Sequence, residues 1–230
     1  MNPLFYKKPI IIDKYKHSNW GYNPVVDFLF AKNTNILPIV TSEFEIACKE
    51  YPIVFVKNGD SFSPVLLLSL KSNNNSFVDN DGKWLANYIP AYIRRYPFIL
   101  AENNSKNKDE LILCIDSDYS GFSSKKSKLT LFDTKSEPSD TLKQAITLVN
   151  QYQVNSKETE TFCNTLNEMG LLKESTVVSD SKKIVEGFYS IEQKAFDILD
   201  NKDFSKLRDS GYLSLIFAHF VSLRSVNFIA

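Results

Sequence analysis

The sequence predicts an α+β protein in which a β-rich N-terminal portion packs against a mainly helical C-terminal portion. Two patterns carry this expectation. Up to residue 133, β-branched and aromatic runs alternate with turn residues. After Pro138 the apolar residues fall at helical spacing. No internal repeat is apparent, and 230 residues are enough to bury roughly 70% of the unfolded surface in one cooperative domain spanning 1–230. Within it, 1–133 is the β-rich part and 134–230 the mainly helical part.

Taken in order, the expected strands are PIII (9–12), YPIVFV (51–56) and PVLLLSL (64–70), with the Asn-Gly-Asp turn at 58–60 making the last two a hairpin. Between them, Thr41 to Lys49 reads as a short helix capped by Ser42, with Phe44, Ala47 and Cys48 on one face. Asp79 to Gly82 forms a second turn. LILCID (111–116) and KLTLF (128–132) are expected to pair with each other around a polar loop. Leu142, Ile146, Val149 and Tyr152 then define an amphipathic helix started by Ser139 or Asp140. A second helix carries Phe162, Leu166 and Met169 and stops at Gly170. IVEGFYSI (184–191) returns to strand, and helix follows from about Gln193 to Arg224, broken near Gly211. The polar tracts 71–76 and 102–110 read as loops.

Composition narrows function mainly by exclusion. The 27 Lys+Arg balance 27 Asp+Glu, so no global field marks nucleic acid or anionic lipid as a partner. A helix-turn-helix over Phe204 to Leu223 is rejected because its second helix is apolar. The most apolar segment, Tyr212 to Leu223, is far shorter than the ~20 residues a membrane span needs. The N-terminus shows neither a long apolar run nor a small-residue cleavage site, so a soluble, cytoplasmic chain is expected, with leaderless export to the cell surface as the alternative. Cys48, Cys114 and Cys163 are odd in number and in no CxxC arrangement, so free thiols are expected, with Cys114 buried on a strand.

Chemistry-bearing residues are few. Only four arginines occur, and two of them, Arg94 and Arg95, sit together in FVDNDGKWLANYIPAYIRRYPF (77–98). Trp84, Tyr88, Tyr92 and Tyr96 recur every four residues in the same block, which would line one helical face, although Pro90 argues against an uninterrupted helix. A guanidinium beside aromatic faces can hold a carboxylate or phosphate. These six residues form the candidate ligand site for a small anion. The plainer alternative is an aromatic core with one paired and one solvated arginine.

Asp116, Asp118, Ser120 and Gly121 match the first half of a calcium loop, but Ser127 stands where the bidentate glutamate belongs, so a polar loop is preferred and no metal is expected. His219 lies in an apolar helix and reads as a hydrogen-bonded core histidine; His17 reads as a surface or capping residue. No nucleophile elbow, dinucleotide loop, phosphate loop or zinc-protease motif is present. No catalytic residue, cofactor or reaction is assigned.

The chain resembles the bacterial SapC family, named for a protein associated with a paracrystalline surface layer. The resemblance rests on ILPIVTSEFEIACKEYPIVFV (36–56), the aromatic block 77–98, LFDTKSEPSDTLKQAITLVNQYQ (131–153) and GYLSLIFAHFVSL (211–223). It implies a role linked to the surface layer or cell envelope, with surface-layer or envelope proteins as partners and dedicated leaderless export nearby. It supplies no reaction and no catalytic residues. The competing expectation is a cytoplasmic small-ligand-binding protein or enzyme built around residues 77–98.

Overall fold

The computed structural model describes residues 3–102, 111–123, 129–178 and 184–229. The strands are β1 (Pro9–Ile11), β2 (Gly21–Tyr22), β3 (Ile36–Pro38), β4 (Ile53–Asn58), β5 (Ser61–Leu67), β6 (Phe98–Glu102), β7 (Leu111–Asp116), β8 (Phe122–Ser123), β9 (Leu172–Val178) and β10 (Ile184–Ile191). The helices are α1 (Phe44–Ala47), α2 (Ala91–Arg94), α3 (Asp140–Glu168), α4 (Gln193–Asp197), α5 (Asn201–Asp209) and α6 (Tyr212–Ser222). About 36% helix and 25% strand, with strands concentrated in the N-terminal half and helices in the C-terminal region, make the protein α+β.

Two compact units interleave along the chain: Met1–Phe30 with Ala91–Gln153, and Ala31–Pro90 with Val154–Ala230. Their borders do not follow the change of pattern near residue 133, so each unit contains both strand and helix. In the first, β7 is the centre of an antiparallel sheet ordered β1-β7-β6. Its register places Ile11 opposite Cys114 and Phe98 opposite Ile115. Phe98, Ile115, Leu131, Phe132, Leu142 and Val149 pack as one buried cluster, which is how the apolar stripe of early α3 is covered.

The second unit is built on an antiparallel sheet ordered β3-β5-β4-β10-β9. The β4–β5 hairpin closes as expected, with Asn58 opposite Ser61 and Gly59 at φ +60°, a conformation glycine adopts without a Cβ penalty. Phe44, Tyr51, Phe55 and Phe162 are fully buried in this unit.

Several expectations are corrected. KLTLF does not pair with LILCID, because both edges of β7 are already filled by β1 and β6. Instead Thr130 bridges Gly21 and Phe132 bridges Pro138; Lys128 and most of the 102–110 loop lie outside the described residues. The two helices expected on either side of residue 155 are one helix of 29 residues. Its threonines stay compatible with helix by donating back to carbonyls four residues earlier, Thr159 to Asn155 at 2.6 Å and Thr165 to Thr161 at 2.9 Å. The start and stop are as expected: Ser139 Oγ accepts from Leu142 N–H at 3.3 Å, and Gly170 adopts φ +66°.

The helix at Thr41 begins as a 3₁₀ turn, and Ser42 does not cap it. The Glu43 carboxylate takes the Val40 N–H at 3.4 Å, while Ser42 Oγ accepts from Asn155 Nδ2 at 2.7 Å. His17 is not a surface residue; it is buried, its Nδ1 accepts the Asp13 N–H at 2.8 Å, and its ring meets Trp20 edge-on at 4.6 Å. Among the described residues no helix is long and apolar enough to cross a membrane.

Candidate functional site

The residues of the aromatic block are distributed over both units. Only Ala91–Arg94 is helical, so the four-residue spacing from Trp84 to Tyr96 does not form a helical stripe. Trp84 and Tyr88 belong to the second unit, where Trp84 Nε1 donates to Tyr51 OH at 2.8 Å and Tyr88 OH donates to Glu43 Oε1 at 2.6 Å. Tyr92, Arg94, Arg95 and Tyr96 belong to the first unit.

There, the single turn of α2 places Tyr92 and Arg95 three residues apart on one side. The guanidinium carbon of Arg95 lies 4.0 Å from the centroid of the Tyr92 ring and 4.3 Å from that of Tyr152, which early α3 supplies. The two rings stand at 71° with centroids 6.0 Å apart, so the cation sits in an aromatic corner. Arg95 Nε is buried and has no hydrogen-bond partner among the described residues. Arg94 is exposed beside it. Both arginines line a cavity of about 230 Å³ together with Tyr22, Pro24, Thr141 and Gln144. Tyr22, Tyr152, Thr141 and Gln144 lie in other parts of the chain, and no spacing rule links them to the arginine pair.

Tyr96 is turned the other way. Its hydroxyl donates to Asp116 Oδ2 at 3.1 Å, and burial, followed by the Asp116 charge, pushes its phenol well above the ordinary range. Asp116 is fully buried and also accepts the backbone N–H groups of Lys7 at 3.1 Å and Lys8 at 2.8 Å. Its carboxylate therefore ties the N-terminal segment to the end of β7, and Oδ1 also accepts the Asp118 N–H at 3.4 Å. Among the described residues no group of three or more histidine, cysteine, aspartate or glutamate side chains is placed to hold a metal.

His219 and the three cysteines lie away from the Arg95 corner. His219 is fully buried, with Nδ1 donating to Ile53 O at 2.9 Å and Nε2 accepting Ile191 N–H at 3.1 Å. All three cysteines are free and buried, Cys114 on β7 as expected. Burial pushes each thiol up, Cys163 to about 12. Labelling of the native protein with a thiol reagent near neutral pH should accordingly be slow at all three positions and complete only in denaturant. A rapid native phase at Cys114 would contradict that expectation.

No curated protein and no solved structure matches this chain. The SapC family model matches residues 12–228, nearly the whole length, and takes in the arginine corner, both histidines and every strand but β1. The chain belongs to the SapC family.

Proposed function

We propose that this protein is a non-catalytic accessory or component of the bacterial surface layer or envelope that holds an anionic group of its partner at Arg94 and Arg95. The observation that carries the reading is the unpartnered, buried Nε of Arg95 in its aromatic corner beside the 230 Å³ cavity. A buried donor left unpaired costs about 1–3 kcal/mol, and a carboxylate or phosphate oxygen removes that cost while gaining a charge-assisted bond. Tyr92 and Tyr152 hold the guanidinium plane in advance, so less side-chain freedom is lost on binding. The engaged histidine and the raised thiols favour recognition over covalent chemistry. Family membership supports the surface-layer setting. The same cavity also favours a second reading, a cytoplasmic protein that binds a small anion.

The test has two arms. Phosphate, acetate or citrate should raise the melting temperature of the parent protein. Arg95→Gln should fold, lose about 1 kcal/mol through the missing cation–π contacts, and no longer respond to the anion. Arg95→Lys, which keeps the charge but not the planar fork, should respond weakly. Absence of any anion effect on the parent sinks the recognition reading. Fractionation of intact cells with surface proteolysis separates the two settings: cleavage of the chain on whole cells supports the envelope role, and full protection supports the cytoplasmic one.

A further inference from the structure

A second cavity in the first unit, of about 440 Å³, has the opposite chemistry. Its wall carries the carboxylates of Asp27 and Asp118 against one cation, Lys7, for a net charge of −1. Both carboxylates are exposed, and neither has an ion-pair partner among the described residues. The remainder of the wall is mixed, with Asn23 and Ser120 beside the apolar Val26 and Phe30. Val26 is 85% exposed, apolar surface that the fold itself does not use.

Aromatic packing gives this wall a fixed shape. Phe30 stacks on Tyr96 with centroids 4.5 Å apart, and Tyr119 meets Tyr96 edge-on at 5.5 Å. The Tyr119 hydroxyl donates to Asn23 O at 2.9 Å, and its ring lies over Gly121, where any Cβ would overlap it. Burial, followed by the nearby Asp27 charge, pushes the Tyr119 phenol up, consistent with a carboxylate close to that ring.

We propose that this cavity binds an organic monocation, an ammonium or guanidinium head on a short alkyl stem, with the head at the Asp27 and Asp118 carboxylates and the stem against Val26 and Phe30. The sign of the wall disfavours anions. A hydrated divalent ion would leave Val26 and Phe30 without a partner, whereas a cation on an alkyl stem meets the carboxylates and the apolar part of the wall together. The site stands independently of the arginine corner.

Calorimetric titration of the full chain with n-butylammonium tests the proposal. Saturable binding is expected at roughly millimolar strength, the weak end of specific recognition. n-Butanol, which keeps the stem and lacks the charge, should bind at least about tenfold more weakly. The double variant Asp27→Asn, Asp118→Asn keeps side-chain oxygens at both exposed positions and should melt like the parent while weakening n-butylammonium at least about fivefold. If it melts lower, the two single variants carry the comparison. Arg95→Gln should bind the probe as the parent does, so failure here and failure of the anion reading are separable. Nα-acetyl-lysine amide binding more tightly than n-butylammonium assigns the site to a basic side chain of a partner, and the reverse order assigns it to a free amine. Absence of saturation, equal binding of n-butanol, or unchanged binding by the carboxamide variants overturns the proposal.

Discussion

Replacing Trp84 with alanine is expected to lower the unfolding free energy by about 3–5 kcal/mol, the usual range for deleting a large buried aromatic side chain. Trp84 is only 6% exposed, and its Nε1–H is given to Tyr51 OH at 2.8 Å. Tyr51 is itself fully buried, packs on Phe77 at 4.6 Å between ring centroids, and donates its hydroxyl hydrogen bond to the Tyr88 carbonyl. The truncation thus opens a cavity and removes the first donor of a short buried chain. Trp84→Phe keeps most of the area and loses the donor, so it should cost less, with about 1 kcal/mol attributable to the hydrogen bond. Denaturant unfolding followed by circular dichroism measures both. A loss below about 1 kcal/mol for the alanine variant would mean that Trp84 is not part of the core of its unit.

The elements that were legible in the sequence are those whose signal is local. The β4–β5 hairpin shows both its Asn-Gly turn and its β-branched flanks, and early α3 shows its period through Leu142 and Val149. What was missed depends on distant partners. FILAE and LKESTVV become β6 and β9 because β7 and β10 offer ladders to them, and neither has a strong pattern of its own. The wrong partner for LILCID has the same origin: nothing local records that Pro9 will lie opposite Asp116. The break expected in α3 came from a polar stretch that is a solvated section of one helix.

The candidate site was legible in the same partial way. Two of only four arginines standing together marked the right side chains, and the neighbouring Tyr92 is indeed one wall of the Arg95 corner. The other wall, Tyr152, was visible only as a core position of α3. Trp84 and Tyr88 shared the spacing without sharing the unit, because spacing implies a common face only where the backbone is continuously helical.

Acidification should expose His219 as a specific weak point. Burial lowers the His219 pKa from 6.5 to about 4, since Nε2 already accepts the Ile191 N–H and a proton there would place two donors head to head beside a desolvated charge. The folded chain therefore keeps His219 neutral at pH values where the unfolded chain takes up a proton. The stability it contributes is complete above about pH 6.5, falls as the pH drops toward 4, and levels off below that. The difference between the two values corresponds to roughly 3 kcal/mol. Asp13 and Asp133, held low by backbone N–H donors, lose their contributions as the pH falls through the ordinary carboxylate value of 3.8, a loss that begins near pH 5, so His219 is read most cleanly between about pH 6.5 and 5. Unfolding free energies measured in steps between pH 7 and 4 should decline with this single-proton shape. In His219→Gln the decline between about pH 6.5 and 5 should be smaller than in the parent even though the variant is less stable throughout, because glutamine does not titrate. A flat profile in the parent protein would show that His219 is not buried neutral between Ile53 and Ile191.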